Sequence, residues 1–356
     1  MAPRPQPDAG SAAAGASRPV VVVLSTPEHA EPDGLEELRS AVDFRYTDAD
    51  GLPGALAGAD ALLLWDFFSD ALARAWPYAD RLRWVHVAAA GVDRLMFPEL
   101  AASDVVVTNA QGIFDEPIAE FVLASILAFV KDLDRSRRRQ RERIWQHRET
   151  LRLAGRHALV VGTGGIGRAT ARLLTAVGME VRGIGRRARE SDPDFGRVVA
   201  STDLVECAGW ADHLVIAAPL TDQTRGLIGT DVLMALPAHA QLVNIARGPI
   251  VDEDALLAAL RRGGLAGAAL DVFATEPLPA DHPFWDIPEV AVSPHMSGDV
   301  VGWRSALAEQ FRGICWRWVR GESLPNVVDT HRGYVPGEPP RREAVAVQGP
   351  RLNGNR

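Results

Sequence analysis

The chain has 356 residues, of which 47% are hydrophobic and 24% are charged, a composition typical of a globular protein with two domains. Its net charge of −8 argues against a nucleic-acid partner, because phosphate binding depends on a basic surface. The sequence has no apolar run of membrane-spanning length, and its cysteines, Cys207 and Cys315, show no metal-binding or redox spacing. We therefore expect a cytoplasmic protein with no membrane attachment and no metal site.

Both ends of the chain have compositions that do not predict folded structure. Residues 1–18 are rich in Pro, Ala, Gly and Ser, and residues 331–356 are rich in Pro, Arg and Gly. Neither segment shows the hydrophobic periodicity of a helix or a strand. We expect two disordered tails, and the first lacks the apolar core of a signal peptide.

The first part of the folded chain alternates short apolar runs with longer helical patterns. This alternation is typical of βαβ units and of a parallel sheet. We predict a smaller, flavodoxin-like substrate domain over residues 19–115, completed by residues 300–330, which contain an amphipathic helix at about 302–320. Its predicted strands are 19–24, 43–46, 60–64, 83–86 and 105–107.

A long helical pattern over residues 116–148 connects this domain to the second part of the chain. The same alternation of strands and helices follows, so we predict a doubly wound parallel sheet in a coenzyme domain over residues 116–299. The predicted fold class is therefore α/β with two Rossmann-like domains, and a ligand is expected in the cleft between them. The predicted strands of the second domain are 157–161, 179–184, 198–200, 213–217, 241–245, 268–272 and 290–292.

A glycine-rich loop follows the first predicted strand of the second domain. The segment HALVVGTGGIGRATARLLTAVG contains Gly162, Gly164 and Gly167 in GxGxxG spacing, at the start of a helix. In a dinucleotide site these glycines allow a tight turn, close approach to a pyrophosphate and close packing of helix on strand. The helix N-terminus adds N–H groups and a partial positive charge. The alternative is a turn with a purely structural role, and the complete strand, helix and strand here favour the dinucleotide.

The segment GIGRR bears on which dinucleotide binds. The fingerprint has Asp or Glu about 20 residues after the glycines, where it binds the ribose hydroxyls. Gly185 stands at that position here, and Arg186 and Arg187 follow it. A missing carboxylate removes repulsion of a 2′-phosphate, and guanidinium groups bind such a phosphate through charge-assisted hydrogen bonds. The sequence favours NADPH, with NAD still open; in the alternative, both arginines are solvated loop residues.

Three polar side chains follow predicted strands of the second domain, namely Arg247, Glu276 and His295. The carboxyl ends of such strands border the ligand crevice, so these side chains can converge. Together they suit reduction of a 2-oxo acid: arginine binds the carboxylate, histidine delivers a proton near neutral pH, and glutamate favours the protonated histidine. Each alone has a structural alternative, as a salt bridge, a loop acid or a packed polar residue.

These motifs resemble, in this order, those of the D-isomer-specific 2-hydroxyacid dehydrogenases, over about residues 20–329. The pattern at Gly185 is similar to that of the NADP-using glyoxylate and hydroxypyruvate reductases. The matching segments are AAAGVD (88–93), TNAQGIFDEPIAE (108–120), LAGRHALVVGTGGIG (153–167), APLTDQTRGLI (218–228), NIARGPIVDEDAL (244–256), LDVFATEPLP (270–279), SPHMSG (293–298) and LPNVVD (324–329).

The resemblance implies a role for the matching residues. The three side chains named above would be catalytic, and the backbone N–H groups of Gly91 and Val92 would bind the substrate carboxylate. It also implies a homodimer, formed where Trp145 and the arginine-rich run 135–143 lie, and a cleft that closes by domain motion. The residues expected along the cofactor are Gly165 and Ile166 at the pyrophosphate, Asp271 at the nicotinamide carboxamide, and Pro219, Ile245 and Ala246 elsewhere on it.

The activity expected from this resemblance is NADPH-dependent reduction of glyoxylate, hydroxypyruvate or a related 2-oxo acid to the D-2-hydroxy acid, with His295 as proton donor. Trp65, in the segment LLLWDFF, is a candidate wall of the substrate pocket, with burial in the core as an equal alternative. Two other functions remain open: a cofactor-sensing corepressor on the same scaffold and a phosphite-type dehydrogenase. Formate dehydrogenases have Gln where this chain has Glu276, which disfavours formate.

Overall fold

The computed structural model describes residues 18–26 and 31–336 of the chain. Most of the two predicted tails, residues 1–17 and 337–356, lies outside the described residues. Residues 331–336, which the sequence predicts as part of the second tail, belong to the described residues. The described chain forms two sheets with helices around them, one sheet of five strands and one of eight.

The first sheet consists of five short strands at positions that the sequence predicts. They form β1 (Val20–Leu24), β2 (Asp43–Thr47), β3 (Ala61–Leu64), β4 (Trp84–Val87) and β5 (Val106–Asn109). All pairs are parallel and the order is β2-β1-β3-β4-β5, which is the flavodoxin-like order. The predicted strands and fold of this part are therefore confirmed. Its helices are α1 (Leu52–Leu56), α2 (Ala71–Ala75) and α3 (Pro98–Ala101).

The connection between the sheets is two helices rather than the single helix predicted over 116–148. They are α4 (Asp115–Val130) and α5 (Leu133–Arg141), separated at Asp132, whose φ of 48° is left-handed. The apolar residues at helical spacing end with Val130, and α5 has no buried residue. No core holds a longer helix together here, so the prediction of one continuous helix was wrong.

The second sheet consists of eight strands. They are β6 (His157–Val161), β7 (Glu180–Gly185), β8 (Arg189–Asp192), β9 (Gly196–Ala200), β10 (His213–Ile216), β11 (Gln241–Asn244), β12 (Gly267–Leu270) and β13 (Val290–Val292). Their order is β13-β12-β11-β10-β6-β7-β9-β8, and only the edge pair β8–β9 is antiparallel. Predicted strands form all of this sheet except β8, whose sequence RESD has no apolar residue to signal it. The doubly wound order reverses beside β6, which places the ligand crevice at the glycine loop.

Helices cover this sheet and return the chain to the first one. They are α6 (Gly165–Ala176), α7 (Leu204–Ala208), α8 (Thr230–Ala235), α9 (Glu253–Arg261) and α10 (Trp303–Val319). The predicted helix 302–320 matches α10, where Phe311 stacks on Trp84 of the first sheet at 5.6 Å between ring centroids. The domain boundaries at 115/116 and 299/300 stay a prediction. Within the described residues, no helix combines the length and the apolar character needed to cross a bilayer.

Candidate active site

A cleft of about 360 Å³ lies where the segments that follow strands of both sheets meet. Residues 87–95 and 109–115 reach it from β4 and β5 of the first sheet. Residues 164–166, 217–220, 245–247 and 273–276 reach it from the second sheet. The carboxyl ends of parallel strands therefore supply its walls, as expected for an α/β ligand site.

Most of the residues that the sequence predicts as site residues line this cleft. Those that do not are Trp65, Gly162, Gly167, Arg186, Arg187 and Asp271. The predicted residues in the lining are Gly91, Val92, Gly164, Gly165, Ile166, Pro219, Ile245, Ala246, Arg247, Glu276 and His295.

Arg247 crosses from the second sheet to the loop after β4. Its Nε donates to Oδ1 of Asp93 at 2.9 Å, and its Nη1 donates to the carbonyl of Ala246 at 2.7 Å. A Cβ built on Gly91 would collide with Nη2 of Arg247, so the guanidinium lies directly against this glycine. Nη2 and the backbone of Gly91 therefore face the same small space, which suits a carboxylate that accepts hydrogen bonds from both.

Glu276 and His295 form a hydrogen-bonded pair beside Arg247. Nδ1 of His295 lies 2.8 Å from Oε2 of Glu276, and Oε1 of Glu276 accepts from the backbone N–H of Phe273 at 2.9 Å. Burial raises the pKa of the Glu276 carboxyl, but hydrogen bonds from His295 and Phe273 and the nearby charge of Arg247 outweigh burial and hold the pKa below its usual value. The carboxylate thus fixes Nδ1 and leaves Nε2 as the ring nitrogen available for proton transfer.

The loop that carries His295 has a strained backbone held by a buried carboxylate. His295 has a φ of 52°, a left-handed conformation that is uncommon outside glycine. Asp271 is fully buried; its Oδ1 accepts from Ser293 Oγ at 2.6 Å and Met296 N at 2.9 Å, and its Oδ2 accepts from Ser297 N at 2.9 Å. These bonds hold the chain on both sides of His295.

The resemblance implies contact between Asp271 and a nicotinamide carboxamide, but the structure does not bring this residue to the cleft. Both of its carboxylate oxygens accept hydrogen bonds from the loop that carries His295. In this arrangement Asp271 supports the position of His295.

Trp65 does not form the pocket wall that LLLWDFF suggested. It is 4% exposed and belongs to the core, while Phe67 and Phe68 of the same segment line the cleft. The ring of Phe68 meets the ring of His295 edge-on, with centroids 5.6 Å apart. The residues that line the cleft therefore lie two and three positions after Trp65. Strand β3 ends at Leu64, and the turn after it directs Trp65 into the core and Phe67 and Phe68 towards the cleft.

The glycine loop has the shape that a dinucleotide requires. Gly162 has a φ of 110°, and a Cβ there would lie 2.6 Å from the carbonyl carbon of Ala217, which follows the neighbouring strand β10. A Cβ on Gly167 would collide with the carbonyl oxygen of Gly162, so helix and strand approach closely. Helix α6 has no side-chain cap at its N-terminus, and its first residues, Gly165 and Ile166, line the cleft. The loop therefore has the backbone geometry that a dinucleotide-binding turn requires, and the position of the pyrophosphate at Gly165 and Ile166 stays a prediction.

A carboxylate lies beside this anion site. Asp115, the first residue of α4, contacts Gly165 so closely that a Cβ on the glycine would overlap its Oδ2. Burial, with the charge of Glu116, raises the pKa of Asp115, although Arg172 and the backbone N–H of Gly112 oppose the shift.

The end of β7 carries the residues expected to choose the dinucleotide. Gly185 is covered by the side chains of Thr163 and Val198, and Arg186 and Arg187 are exposed beyond it. The buried acid of β8, Asp192, accepts from Arg168 and Arg189, so its oxygens are engaged within the protein. Glu190, which is closer in sequence, is exposed and pairs with Arg197. The guanidinium carbon of Arg186 lies 5.0 Å from the centroid of the Tyr334 ring. Tyr334 lines the cleft and belongs to the segment that the sequence predicts as a tail.

Three kinds of site residue were missed from the sequence. Asp93 lies in the quoted motif AAAGVD, where its spacing from Gly91 gave a usable signal. Phe67 and Phe68 lie in LLLWDFF, where the period of a four-residue strand is too short to tell which aromatic faces the ligand. Tyr334 stands among Pro, Gly and Arg residues, which give no periodic signal at all.

Comparisons with known proteins agree with this geometry. A family model described as "D-isomer specific 2-hydroxyacid dehydrogenase, NAD binding domain" matches residues 123–297. A glyoxylate reductase of Korarchaeum cryptofilum is 33% identical over 258 residues, which cover 70% of this chain and 77% of that protein.

Solved structures give the same result. A D-isomer specific 2-hydroxyacid dehydrogenase from Xanthobacter autotrophicus Py2, in complex with NADPH and MES, is 32% identical with a TM-score of 0.75, covering 89% of this chain and 100% of that one. An NADPH-dependent glyoxylate/hydroxypyruvate reductase from Sinorhizobium meliloti, in complex with NADP and sulfate, is 26% identical with a TM-score of 0.76 and the same coverage. The chain therefore belongs to the D-isomer-specific 2-hydroxyacid dehydrogenase family and is an NAD(P)-dependent oxidoreductase acting on the CH–OH group of 2-hydroxy acids.

Proposed function

We propose that this protein reduces a small 2-oxo acid, of the glyoxylate or hydroxypyruvate class, to the D-2-hydroxy acid with NADPH. The observation that carries the proposal is the convergence of the Glu276–His295 pair and Arg247 on the cleft that the glycine loop also borders. Relatives named as glyoxylate reductases support the substrate class, since they share about a third of their residues with this chain.

The chain's own groups account for binding and proton delivery. Nη2 of Arg247 and the backbone N–H groups of Gly91 and Val92 hold the substrate carboxylate and orient the adjacent carbonyl. A reduced nicotinamide, when bound, supplies the hydride that reaches the carbonyl carbon. Nε2 of His295 gives its proton to the carbonyl oxygen as negative charge develops there, and Glu276 stabilises the imidazolium before the transfer.

The aromatic side chains beside His295 favour a small substrate. Phe67 and Phe68 line the cleft on the side next to His295, and the ring of Phe68 meets the imidazole edge-on. A two- or three-carbon oxo acid bound to Arg247 would lie against these rings. We propose Phe68, rather than Trp65, as the wall that contacts the substrate.

The preference for NADPH rests on the end of β7. Gly185 brings no carboxylate to the ribose, and Arg186 and Arg187 supply positive charge beyond it. Two structural relatives are described with NADP or NADPH bound, which supports the same choice.

A substrate panel with both cofactors tests the proposal. Glyoxylate, hydroxypyruvate, pyruvate and phenylpyruvate are offered with NADPH and with NADH, and cofactor oxidation is followed at 340 nm, the usual wavelength for these cofactors. We expect turnover of the small oxo acids, faster with NADPH, and loss of turnover with retained NADPH binding in His295→Ala. Full activity in that variant sinks the assignment of the proton donor.

The same panel separates the other functions. Binding of NADPH without oxidation by any oxo acid favours the sensing role, and reduction of NADP by phosphite favours the phosphite-type dehydrogenase. Arg186→Ala is included in the panel, because an unchanged preference for NADPH in that variant means that the arginine is ordinary surface.

We also propose that the protein acts as a cytoplasmic homodimer. Trp145, in the segment after α5, is 100% exposed, and Ile144 and Leu151 nearby are exposed as well. A large aromatic side chain fully in water is costly, and a second copy of the chain would cover it. Light scattering should give a dimer mass, reduced in Trp145→Ala but unchanged in Trp285→Ala, a control at another exposed tryptophan.

A further inference from the structure

The chain after LPNVVD forms an ordered turn at the cofactor side of the cleft. Oδ1 of Asp329 accepts from the backbone N–H groups of His331 and Arg332 at 3.1 Å, and its carbonyl accepts from Gly333 N at 2.8 Å. The backbone N–H of Asp329 donates to the carbonyl of Tyr334 at 3.0 Å, which closes the turn. Gly333, with a φ of 73°, supplies the left-handed residue that such a turn needs.

This turn is anchored to the substrate sheet. Val328 N donates to the carbonyl of Val107 at 2.8 Å, and Val327 forms a bridge with Thr108 of β5. The position of Tyr334 is therefore fixed by the first sheet, although its side chain contacts the second.

The side chain of Tyr334 meets the arginine that follows β7. The guanidinium carbon of Arg186 lies 5.0 Å from the centroid of the Tyr334 ring, within cation–π distance. The phenol oxygen is buried and has no hydrogen-bond partner among the described residues. Tyr334 also lines the cleft together with Gly164 and Gly165 of the glycine loop. A buried hydroxyl without a partner is costly, so its presence here points to a ligand that accepts its hydrogen bond.

We propose that Tyr334 is a further cofactor-binding residue, whose ring orients Arg186 and whose hydroxyl donates a hydrogen bond to the 2′-phosphate of NADPH. This inference rests on the proposed use of NADPH. Arg186 is otherwise an exposed side chain at a strand end, and a flexible cation loses side-chain entropy on binding. A ring stacked against its guanidinium reduces that loss, and a neutral donor beside the cation completes a site for a phosphate dianion.

The selectivity follows from what each dinucleotide offers at this point. The 2′-phosphate is a charged acceptor with three oxygens, able to bind Arg186 and Tyr334 together, whereas NADH has a hydroxyl at the same position. A hydrogen bond to a charged group is stronger than one to a neutral group. Loss of the phenol hydroxyl should therefore weaken binding of NADPH much more than binding of NADH.

Equilibrium binding to the full chain tests the inference without requiring turnover. Tyr334→Phe keeps the ring and removes the hydroxyl; Tyr334→Ala removes both; Tyr78→Phe is the matched control at an exposed tyrosine outside the cleft. Titration calorimetry at fixed ionic strength measures Kd for NADPH and NADH, and also for adenosine 2′,5′-bisphosphate and adenosine 5′-monophosphate, which differ only in the 2′-phosphate.

We expect Tyr334→Phe to raise the Kd for NADPH and for the bisphosphate about tenfold, and that for NADH and the monophosphate less than about twofold. Tyr334→Ala should raise the Kd for NADPH about threefold further, since the stacked guanidinium is lost. Tyr78→Phe should change none of these values. A structural role alone would weaken all four ligands together and lower the melting temperature of the ligand-free protein.

Three results would overturn the inference: equal weakening of NADPH and NADH, no weakening in Tyr334→Phe, or a wild-type protein that binds NADPH no better than NADH. The last also refutes the proposed cofactor. Failure of the proposed reaction is seen separately, as selective NADPH binding by the wild-type protein without reduction of any oxo acid.

Discussion

Glu276 lies between a cation, an imidazole and a backbone N–H group, all of which favour its charged form. Burial alone would raise the pKa of this carboxyl, but the hydrogen bonds from His295 and Phe273 and the charge of Arg247 lower it overall. Glu276 therefore stays ionised throughout the neutral range. Its negative charge lies 2.8 Å from Nδ1 of His295, the proposed proton donor.

Glu276→Gln removes this charge and retains the shape of the side chain. We expect kcat/KM for reduction near neutral pH to fall about tenfold or more, because proton donation by a positioned acid is worth at least that much. Rates of reduction measured at about pH 7 check this expectation.

Glu253→Gln is the matched control for this variant. Oε1 of Glu253 accepts from Ala274 N at 2.7 Å, next to the Phe273 N–H that Glu276 binds, but Glu253 does not contact His295. An unchanged kcat/KM in Glu276→Gln, or an equal loss in Glu253→Gln, would remove the proposed link between Glu276 and the proton donor.

At the scale of elements, the edge hairpin β8–β9 supports the loop that carries the candidate phosphate-binding arginines. Asp192, at the end of β8, is buried and accepts from Arg168 of α6 and from Arg189. Burial raises the pKa of Asp192, but the hydrogen bond and charge of Arg168 and the hydrogen bonds from the backbone of Asp194 and Phe195 outweigh burial and lower the pKa to about 2. Because the folded-state pKa is depressed, the stabilisation is complete above the unfolded value of 3.8 and is lost as the pH falls towards 2.

Asp192→Asn should therefore lower the free energy of unfolding by about 2 kcal/mol at pH 7. At pH 3 the difference between variant and wild type should be clearly smaller, because the wild-type carboxyl has begun to lose its advantage. Urea unfolding at the two pH values measures both differences. Asp194→Asn, at a more exposed acid that also binds Arg168, should lower the free energy of unfolding by less. An equal or larger loss in Asp194→Asn would mean that Asp192 is not the main stabilising carboxylate.

The elements also show what the sequence could predict. Short apolar runs identified every strand of the two sheets except β8, and three dispersed motifs predicted Arg247, Glu276 and His295 as site residues. Strand β8 depends on ion pairs with residues distant in sequence, and the turn at Tyr334 depends on hydrogen bonds of Asp329; neither leaves a periodic pattern. The break after Val130 and the inward turn of Trp65 depend on where the core ends, which a local pattern does not reveal.

Across the whole molecule, each sheet contains a buried histidine whose charge the fold excludes. Burial lowers the pKa of His86, in β4, to about 3, and burial also lowers the pKa of His213, in β10, to about 4. Both values lie below the usual 6.5 of the unfolded chain, so the unfolded state binds more protons as the pH falls. Stability is then complete above pH 6.5 and declines below it, independently of the cleft and its carboxylates.

His86→Phe separates the contribution of the first sheet. Nδ1 of His86 lies 2.9 Å from Oγ1 of Thr108, so loss of this hydrogen bond should cost about 1 kcal/mol at pH 7.5. Between pH 6.5 and 4.5, however, the variant should avoid a loss of about 1.4 kcal/mol per pH unit that the wild-type protein undergoes at this residue. The two stability curves should therefore cross, which urea unfolding across this pH range would detect. His147→Phe, at an exposed position after α5, should keep the wild-type slope, and a parallel curve for His86→Phe would mean that the fold accommodates the charged imidazole after all.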